Sequence, residues 1–204
     1  MPYFPTISRP PKTLTRDEQR RLLEVTGRSW DSFRDHVIYS LALATGLREQ
    51  EIAALNVGDV FDEAGQPRRR IILTVYKRCQ LDRAGQDVLV AQAVREKLAR
   101  FRAWKLAERE SLEPGAPLFV SRQGKRISLR QLRHAFTVWQ ERAGFDRHRS
   151  FHSARHAAVH NFYSTTRDIR LTQRFARHAS LLTTMVYTHP TDDQLAEAVE
   201  AMAG

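Results

Sequence analysis

A single region of the sequence favours β-strands, and this limits the folds open to the chain. Residues 70–76 (RIILTVY) are rich in β-branched and aromatic side chains, and residues 87–90 (DVLV) form a shorter partner across a polar connection that contains Gly85. Elsewhere apolar residues recur mainly at helical spacing. The pattern therefore predicts an α+β fold that is mainly α, with one small antiparallel β-hairpin.

Helix-capping signals divide the first part of the chain. Residues 15–18 (TRDE) have the pattern of a capping box, which predicts a helix start. Gly46 is placed to end a later helix, since glycine tolerates the left-handed backbone conformation. Arg48 is therefore expected in the first turn of a short helix at residues 49–55. Glu51 lies three residues further on, a spacing at which it can brace the guanidinium by a charge-assisted hydrogen bond.

The second half of the chain predicts further helices. One long helix is expected at residues 91–110. Its apolar positions are Val94, Leu98, Phe101 and Leu106. Ser128 and Ser150 are placed to cap two later helices, the second of which carries His152 and Arg155. The residues expected to add core contacts to that helix are His156, Val159 and Phe162.

The chain is strongly basic. It carries 33 Lys and Arg residues against 23 Asp and Glu, a formal net charge of +10 over 204 residues, and the basic residues are scattered rather than confined to a tail. This balance favours a polyanionic partner, because neutralisation of phosphates releases counterions and steers association. A basic protein whose charge only aids solubility is the alternative.

Cysteine usage and hydropathy favour a protein of the reducing cytosol. Cys79 is the one cysteine, which excludes an internal disulfide. No apolar run approaches the ~18 residues that a membrane span needs, and residues 1–12 lack the apolar core of a secretory signal. We therefore expect a cytoplasmic protein without membrane contact, associated with the nucleoid if its source is bacterial.

Several side chains suited to phosphate chemistry stand in the last part of the chain. His152 and Arg155 are three residues apart, so they share one face of a helix. His178 follows, and Tyr187 comes nine residues later, while Arg48 lies far upstream after the apolar second helix. Each of these residues alone is more often structural. Together, in a strongly basic chain, they suggest phosphate chemistry on nucleic acid.

Three motifs resemble those of the tyrosine recombinases, the phage integrase family. The string ATGLREQEI around Arg48 resembles the first arginine box of this family. HSARH at residues 152–156 resembles the family's His-x-x-Arg box, and ARHASLLTTMVYTH resembles the stretch with its second histidine and nucleophilic tyrosine. The likeness covers residues 13–195, with the boxes in the family's order and at its usual separations.

The resemblance implies a transesterification at a DNA phosphate. Tyr187 would attack the phosphorus, and the side chains that would donate hydrogen bonds to the non-bridging oxygens are Arg48, Arg155 and His178. His152 would accept the tyrosyl proton or place the phosphate. The product would be a 3′-phosphotyrosyl link with a free 5′-hydroxyl. Bond energy is retained in that link, so no ATP, metal or other cofactor is expected.

The family also uses a lysine of the hairpin as the general acid that protonates the departing 5′ oxygen. Lys77 is the only lysine between the two predicted strands, and it is therefore our candidate. Arg78 or Arg83 could reach the same place, but an arginine stays charged and is a poor proton donor. A lysine that only protects a sheet edge is the alternative.

Further basic residues are candidates for contacts with double-stranded DNA. They are Arg130, Arg133, His134, Lys125, Arg78 and Arg149. Arg130 and Arg133 share a helical face, and that face could contact phosphates or base edges. A solvated helix surface explains these charges equally well.

One position departs from the family pattern. At its second histidine the family usually has Leu-Gly-His, whereas this chain has Ala-Arg-His at residues 176–178. The family's glycine allows a tight turn, so Arg177 leaves the backbone at this point open.

The domain organisation follows from the extent of the likeness. Residues 1–12, with four prolines, are expected to form an extended arm, and residues 13–204 the catalytic domain, without a separate N-terminal core-binding domain. Residues 192–203 predict an amphipathic C-terminal helix. The resemblance implies that this helix is exchanged between neighbouring protomers, in a homo-oligomer that is a tetramer on DNA. A helix that folds back onto its own core is the alternative.

Three other functions fit the same residues. A type IB topoisomerase uses the same constellation and would relax supercoils without sequence preference. A DNA-binding regulator with vestigial catalytic residues would shift DNA in gels without a covalent adduct. A basic helical interaction module with no nucleic-acid role would show no salt-dependent DNA binding.

Overall fold

The computed structural model describes residues 13–73, 87–187, 199 and 202. The helices and strands of these residues are, in chain order, α1 (Arg16–Thr26), a short 3₁₀ helix (Trp30–Ser32), α2 (Phe33–Thr45), α3 (Glu49–Ala54), α4 (Val57–Val60), β1 (Arg70–Ile72), β2 (Asp87–Leu89), α5 (Gln92–Ala107), α6 (Leu129–Arg142), α7 (His152–Thr166), α8 (Ile169–Ala176) and α9 (Leu181–Met185).

The two strands form the antiparallel hairpin that the sequence predicts. Ile71 of β1 lies opposite Val88 of β2, and both side chains are buried. The neighbouring residues Arg70 and Asp87 are exposed and form an ion pair across the hairpin. Alternation of buried and exposed side chains is what a two-stranded sheet with one face on the core requires. The expected fold class, α+β and mainly α, is confirmed.

The helix boundaries predicted from capping residues are largely confirmed. Thr15 and Glu18 form a reciprocal capping box at the start of α1, with N···O distances of 2.7 and 3.1 Å. Ser128 caps α6. Gly46 ends α2 in the left-handed conformation, with φ of 62°, and its N–H donates to the carbonyl of Ala42. The chain therefore turns sharply before Arg48, as expected.

The expected cap at Ser150 is wrong. Phe151 is the N-cap residue of α7, already has helical dihedrals, and has no side chain bonded to the helix end. Ser150 contributes only its carbonyl, which accepts from the Ser153 N–H at 2.9 Å. The reason is packing: the Phe151 ring is buried against Phe136 and Tyr39, at centroid distances of 5.4 and 6.1 Å, and this burial fixes where the helix begins.

Helix α2 lies at the centre of the core. It packs against α1, α5 and α7, and its Leu41 and Ala42 have no exposed surface. The ring of Tyr39 also contacts Phe136 of α6, at a centroid distance of 5.6 Å. Because the same helix contacts all these elements, the turn after α2 is held in a fixed position relative to α7.

The core face of α5 differs from the expectation near its C-terminal end, where Trp104 is also buried. Leu106 is 64% exposed, whereas Lys105 is fully buried. The buried positions 94, 98, 101 and 105 keep the helical spacing, and residue 106 falls off that face. The Lys105 ammonium tolerates burial because it donates to the Glu110 carboxylate at 2.5 Å and to the carbonyl of Leu118 at 3.0 Å.

Some expectations lie outside the described residues. They concern the N-terminal arm at 1–12, Lys77 and Arg78 of the hairpin, and most of the predicted helix at 192–203. Val199 and Met202 belong to that last segment and are described; both are helical and exposed. In the part of the chain that the structure covers, no helix is long and apolar enough to cross a membrane.

The burial of Lys105 gives a stability prediction. Lys105→Met removes the donor from a partly buried carboxylate and two carbonyls, so we expect the free energy of unfolding to fall by about 3 kcal/mol. The adjacent control Leu106→Ala should change it by less than about 0.5 kcal/mol, because that side chain is mostly in solvent. Urea unfolding at pH 7 measures both, and a larger loss in the Leu106 variant would contradict the register of α5.

Candidate active site

Arg155 is the most constrained of the candidate residues. It lies in the first turns of α7 and is 3% exposed. Its Nη1 donates to the carbonyl of Gly46, and its Nη2 donates to the carbonyl of Ala176 at the end of α8. Hydrogen bonds to acceptors offset the cost of burying a guanidinium, so these two bonds hold its position. Arg155 thereby joins the turn after α2 to the end of α8.

Arg48 is held by the carboxylate of Glu51, as the sequence predicts. It is the N-cap residue of α3, and its Nη1 donates to Glu51 Oε1 at 2.8 Å. Its main-chain N–H donates to Glu51 Oε2 at 2.7 Å. That same Oε2 accepts from Nη2 of Arg177 at 2.6 Å. Glu51 is 2% exposed, so one buried carboxylate is shared by two arginines from distant parts of the chain.

Positive charge is in excess at this point. Arg48, Arg155 and Arg177 interact electrostatically with one another and with the single carboxylate of Glu51. Burial, followed by the charges of Arg48 and Arg177, lowers the pKa of Arg155 to about 9, which still leaves it charged at neutral pH. Burial also lowers the pKa of Arg177, although Glu51 opposes this. A cluster of this kind favours the binding of an anion.

Tyr187 lies two residues beyond α9 and is nearly buried, with 7% of its surface exposed. Its hydroxyl is hydrogen-bonded to Nδ1 of His156. Burial raises the pKa of Tyr187 to about 12, and the nearby charge of Arg155 opposes this shift. The phenol is therefore neutral at physiological pH in this arrangement, and it needs a proton acceptor if it is to act as a nucleophile.

His156 is the residue that the sequence analysis missed at this site. We expected it to serve the core, but it is only partly buried and contacts the tyrosyl hydroxyl. Burial, followed by His152 and Arg155, lowers the pKa of His156 to about 4, so the ring is neutral at pH 7 and able to accept a proton. The available signal was helical spacing, since His156 follows His152 by one turn.

The other two histidines lie on either side of this pair. His178 stacks on the Tyr187 ring, with centroids 6.3 Å apart, and its Nδ1 lies 2.9 Å from Thr184 Oγ1. Burial, followed by Arg155 and Arg48, lowers the pKa of His178 to about 4. His152 is exposed, meets the His156 ring edge-on at a centroid distance of 4.4 Å, and has a pKa lowered by partial burial and by Arg155.

The structure thus brings five predicted residues into one region. They are Arg48, His152, Arg155, His178 and Tyr187. Lys77 lies outside the described residues, and so does Arg78. Across residues 13–73 and 87–187, no group of three or more His, Cys, Asp or Glu side chains is placed to hold a metal ion.

The predicted DNA-contacting residues that are described occupy the start of α6 and its surroundings. Lys125, Arg130, Arg133 and His134 are exposed. Arg133 pairs with Glu49, the residue after Arg48, with its Nε 3.0 Å from the carboxylate. This face therefore adjoins the site. Arg149 is partly buried, and Gln140 hydrogen-bonds its main chain.

Comparison with known proteins decides the family. Residues 12–194 match the sequence model of the phage integrase family. The chain belongs to the phage integrase family. It is 33% identical over 191 residues to the tyrosine recombinase XerC of Neisseria meningitidis serogroup B, an alignment that covers 92% of this chain and 59% of XerC. The chain thus spans less than two thirds of the length of this relative.

Solved structures show the same fold. The crystal structure of XerA recombinase superposes with a TM-score of 0.74 at 24% identity, over 100% of this chain and 67% of XerA. The XerH site-specific recombinase, bound to its difH substrate in a pre-cleavage complex, gives a TM-score of 0.73 at 22% identity, over 97% of this chain and 56% of XerH. The arrangement of helices around the hairpin is that of the integrase family.

The depressed histidine pKa values predict a loss of stability in acid. His36, His156 and His178 each have a pKa near 4 in the folded chain, mainly through burial, so the unfolded chain binds more protons below about pH 6.5. The contribution of these histidines to the free energy of unfolding should be fully present above that pH and should be lost as the pH drops toward 4. After allowance for solvent around partly exposed rings, we expect a loss of about 3 kcal/mol between pH 7 and pH 5.

Urea unfolding at both pH values measures this loss, and two variants identify its source. His36→Asn should reduce the loss by up to about one third, because it removes one of the three histidines whose pKa is lowered to about 4. His160→Asn, at an exposed histidine of α7, should leave it unchanged. Equal effects of the two variants, or a stability that does not vary with pH, would contradict the account.

Proposed function

We propose that this chain cleaves and rejoins DNA strands at specific sites through a 3′-phosphotyrosyl intermediate. The observation that carries this proposal is the convergence of the Tyr187 hydroxyl with the guanidinium of Arg155 and the ring of His178. A nucleophile beside a buried cluster of positive donors is the arrangement that displacement at an anionic phosphodiester needs. The family membership and the recombinase names of the relatives favour recombination over simple supercoil relaxation.

In this proposal, the donors left free at the site bind the non-bridging oxygens of one phosphate. A guanidinium has five N–H donors, and Arg155 uses two of its donors on main-chain carbonyls, so others are left for a ligand. Arg48 uses one side-chain N–H on Glu51. If the Thr184 hydroxyl donates to Nδ1 of His178, the proton of that neutral ring is on Nε2, which becomes a third donor.

In the covalent step one bond to phosphorus forms and another breaks, and a proton is transferred at both the attacking and the departing oxygen. The oxygen of Tyr187 forms a bond to phosphorus, and the bond from phosphorus to the 5′ oxygen breaks. His156, which contacts the hydroxyl, accepts the tyrosyl proton as the attack proceeds. The exposed His152 contacts the phosphate, the second of the two roles that the sequence left open for it. Lys77 donates a proton to the departing 5′ oxygen.

The partners follow from the same surface. The exposed basic residues at the start of α6 adjoin the helix that begins after Arg48, so we propose that this face lies on the DNA backbone beside the cleaved phosphate. XerH, which shares the fold, was crystallised on its difH substrate. Arg149 and Arg78 are further candidates for phosphate contacts.

We also propose a homo-oligomer on DNA, a tetramer that exchanges C-terminal helices. Val199 and Met202 are one helical turn apart and expose apolar side chains, 56% and 88% of their surface. Leu171 of α8 and Leu182 of α9 expose 45% and 71%, and these two helices pack together. Exposed apolar residues on both elements support their burial against each other between neighbouring protomers.

Covalent capture tests the proposed chemistry. A pool of duplexes with randomised sequence around a nick traps the adduct, because the short fragment released on cleavage diffuses away. We expect an adduct that resists denaturant with the parent chain and none with Tyr187→Phe. Tyr163→Phe, a substitution at a tyrosine of α7, should still form the adduct. An adduct that survives in Tyr187→Phe would overturn the proposal.

The arginine variants test the electrostatic part on the captured duplexes. Arg48→Ala and Arg155→Lys should each lower the cleavage rate at least ~10²-fold, the scale for loss of one preorganised donor. Lysine keeps the charge at position 155 but loses the paired donors. Arg20→Ala is the control, since that exposed arginine also pairs with a carboxylate on its own helix. Near-normal cleavage in either site variant would remove that arginine from the proposed chemistry.

A further inference from the structure

Arg177 has a backbone conformation that a side chain makes unfavourable. It ends α8 with φ of 53° and ψ of 46°, in the left-handed region. Glycine adopts this region freely, but other residues rarely do, because the Cβ atom approaches the following carbonyl. An arginine in this conformation costs stability, so its side chain is a candidate for a specific role.

The side chain of Arg177 is buried beside the candidate active site. It is 8% exposed, and its Nη2 donates to Glu51 Oε2 at 2.6 Å. Its Nε and Nη1 are buried without a hydrogen-bond partner among residues 13–73 and 87–187. The ion pair with Glu51 is therefore the contact that orients this guanidinium, and it joins two segments that are 126 residues apart.

The orientation of Arg48 depends on the same carboxylate. Within the described ranges, both the side chain and the main-chain N–H of Arg48 donate to Glu51. Arg48 keeps 23% of its side chain exposed, so it has room to move if Glu51 moves. Arg177 binds the carboxylate oxygen that the Arg48 side chain leaves open, and this prevents rotation of the carboxylate.

We propose that Arg177 is a positioning residue, which holds Arg48 through Glu51 in the orientation needed to contact the phosphodiester. The proposal rests on the proposed function, because that function defines the task of Arg48. Arg177 also adds positive charge that acts on Arg155. It couples the end of α8, just before His178, to the start of α3, just after Arg48.

The substitution Arg177→Gly separates positioning from helix ending, since glycine suits the left-handed backbone but lacks the guanidinium. We expect the cleavage rate on captured duplexes at saturating DNA to fall at least ~10-fold, with DNA affinity changed by less than ~3-fold. Arg167→Gly is the matched control, because Arg167 ends α7 with the same φ of 53° and is exposed. It should cleave at the parent rate.

A double-mutant cycle tests whether the effect passes through Glu51. In a Glu51→Gln background, Arg177→Gly should lower cleavage by less than ~2-fold, since the contact it breaks is already lost. A parent-like rate in Arg177→Gly, or effects of the two substitutions that multiply, would overturn the proposal. A similar loss in Arg167→Gly would also overturn it, because loosening of a helix end would then be the cause.

A measurement without DNA distinguishes this proposal from the proposed function. The Nε–H resonance of Arg48 in ¹⁵N spectra, identified by its loss in Arg48→Lys, should be sharp in the parent chain and in Tyr187→Phe. It should broaden or exchange with water in Arg177→Gly. That result would hold even if the parent chain formed no covalent adduct. The absence of an adduct would contradict the proposed function but not the positioning role of Arg177. An unchanged resonance in Arg177→Gly would overturn the positioning role.

Discussion

The bonds from the buried Arg155 guanidinium to the carbonyls of Gly46 and Ala176 organise this structure. They join the turn after α2 to the end of α8, two places that are far apart in the sequence. Arg48 follows the turn after α2, and His178 follows the end of α8. Hydrogen bonds to these two carbonyls offset the cost of burying the Arg155 charge, and they bring the segments that carry the other candidate residues together.

The charges at the site explain why it would bind a DNA phosphate and would be unreactive without DNA. Burial, followed by the charges of Arg48 and Arg177, lowers the pKa of Arg155, and a bound phosphate would relieve the repulsion between these guanidiniums. Tyr187 meanwhile is buried and neutral, with its hydroxyl against a neutral His156. In the proposed mechanism, Tyr187 becomes reactive only when its proton is taken as it attacks the phosphorus.

The features that the sequence predicted are those with local causes. The turn at Gly46, the contact between Arg48 and Glu51 and the antiparallel hairpin depend on residues close in the chain. The features it did not predict depend on distant contacts. The hydroxyl that His156 meets belongs to a residue 31 positions later, and the carboxylate that Arg177 meets lies 126 positions earlier. Neither partner can be identified from the residues that surround His156 or Arg177 in the sequence.

The most direct test of the account is the crystal structure of the Tyr187→Phe chain bound to a duplex recovered by covalent capture. The account predicts one phosphate contacted by both Arg48 and Arg155, with the ring of residue 187 facing its phosphorus. If the two arginines contacted different phosphates, or if that ring pointed away from the DNA, the account would be contradicted.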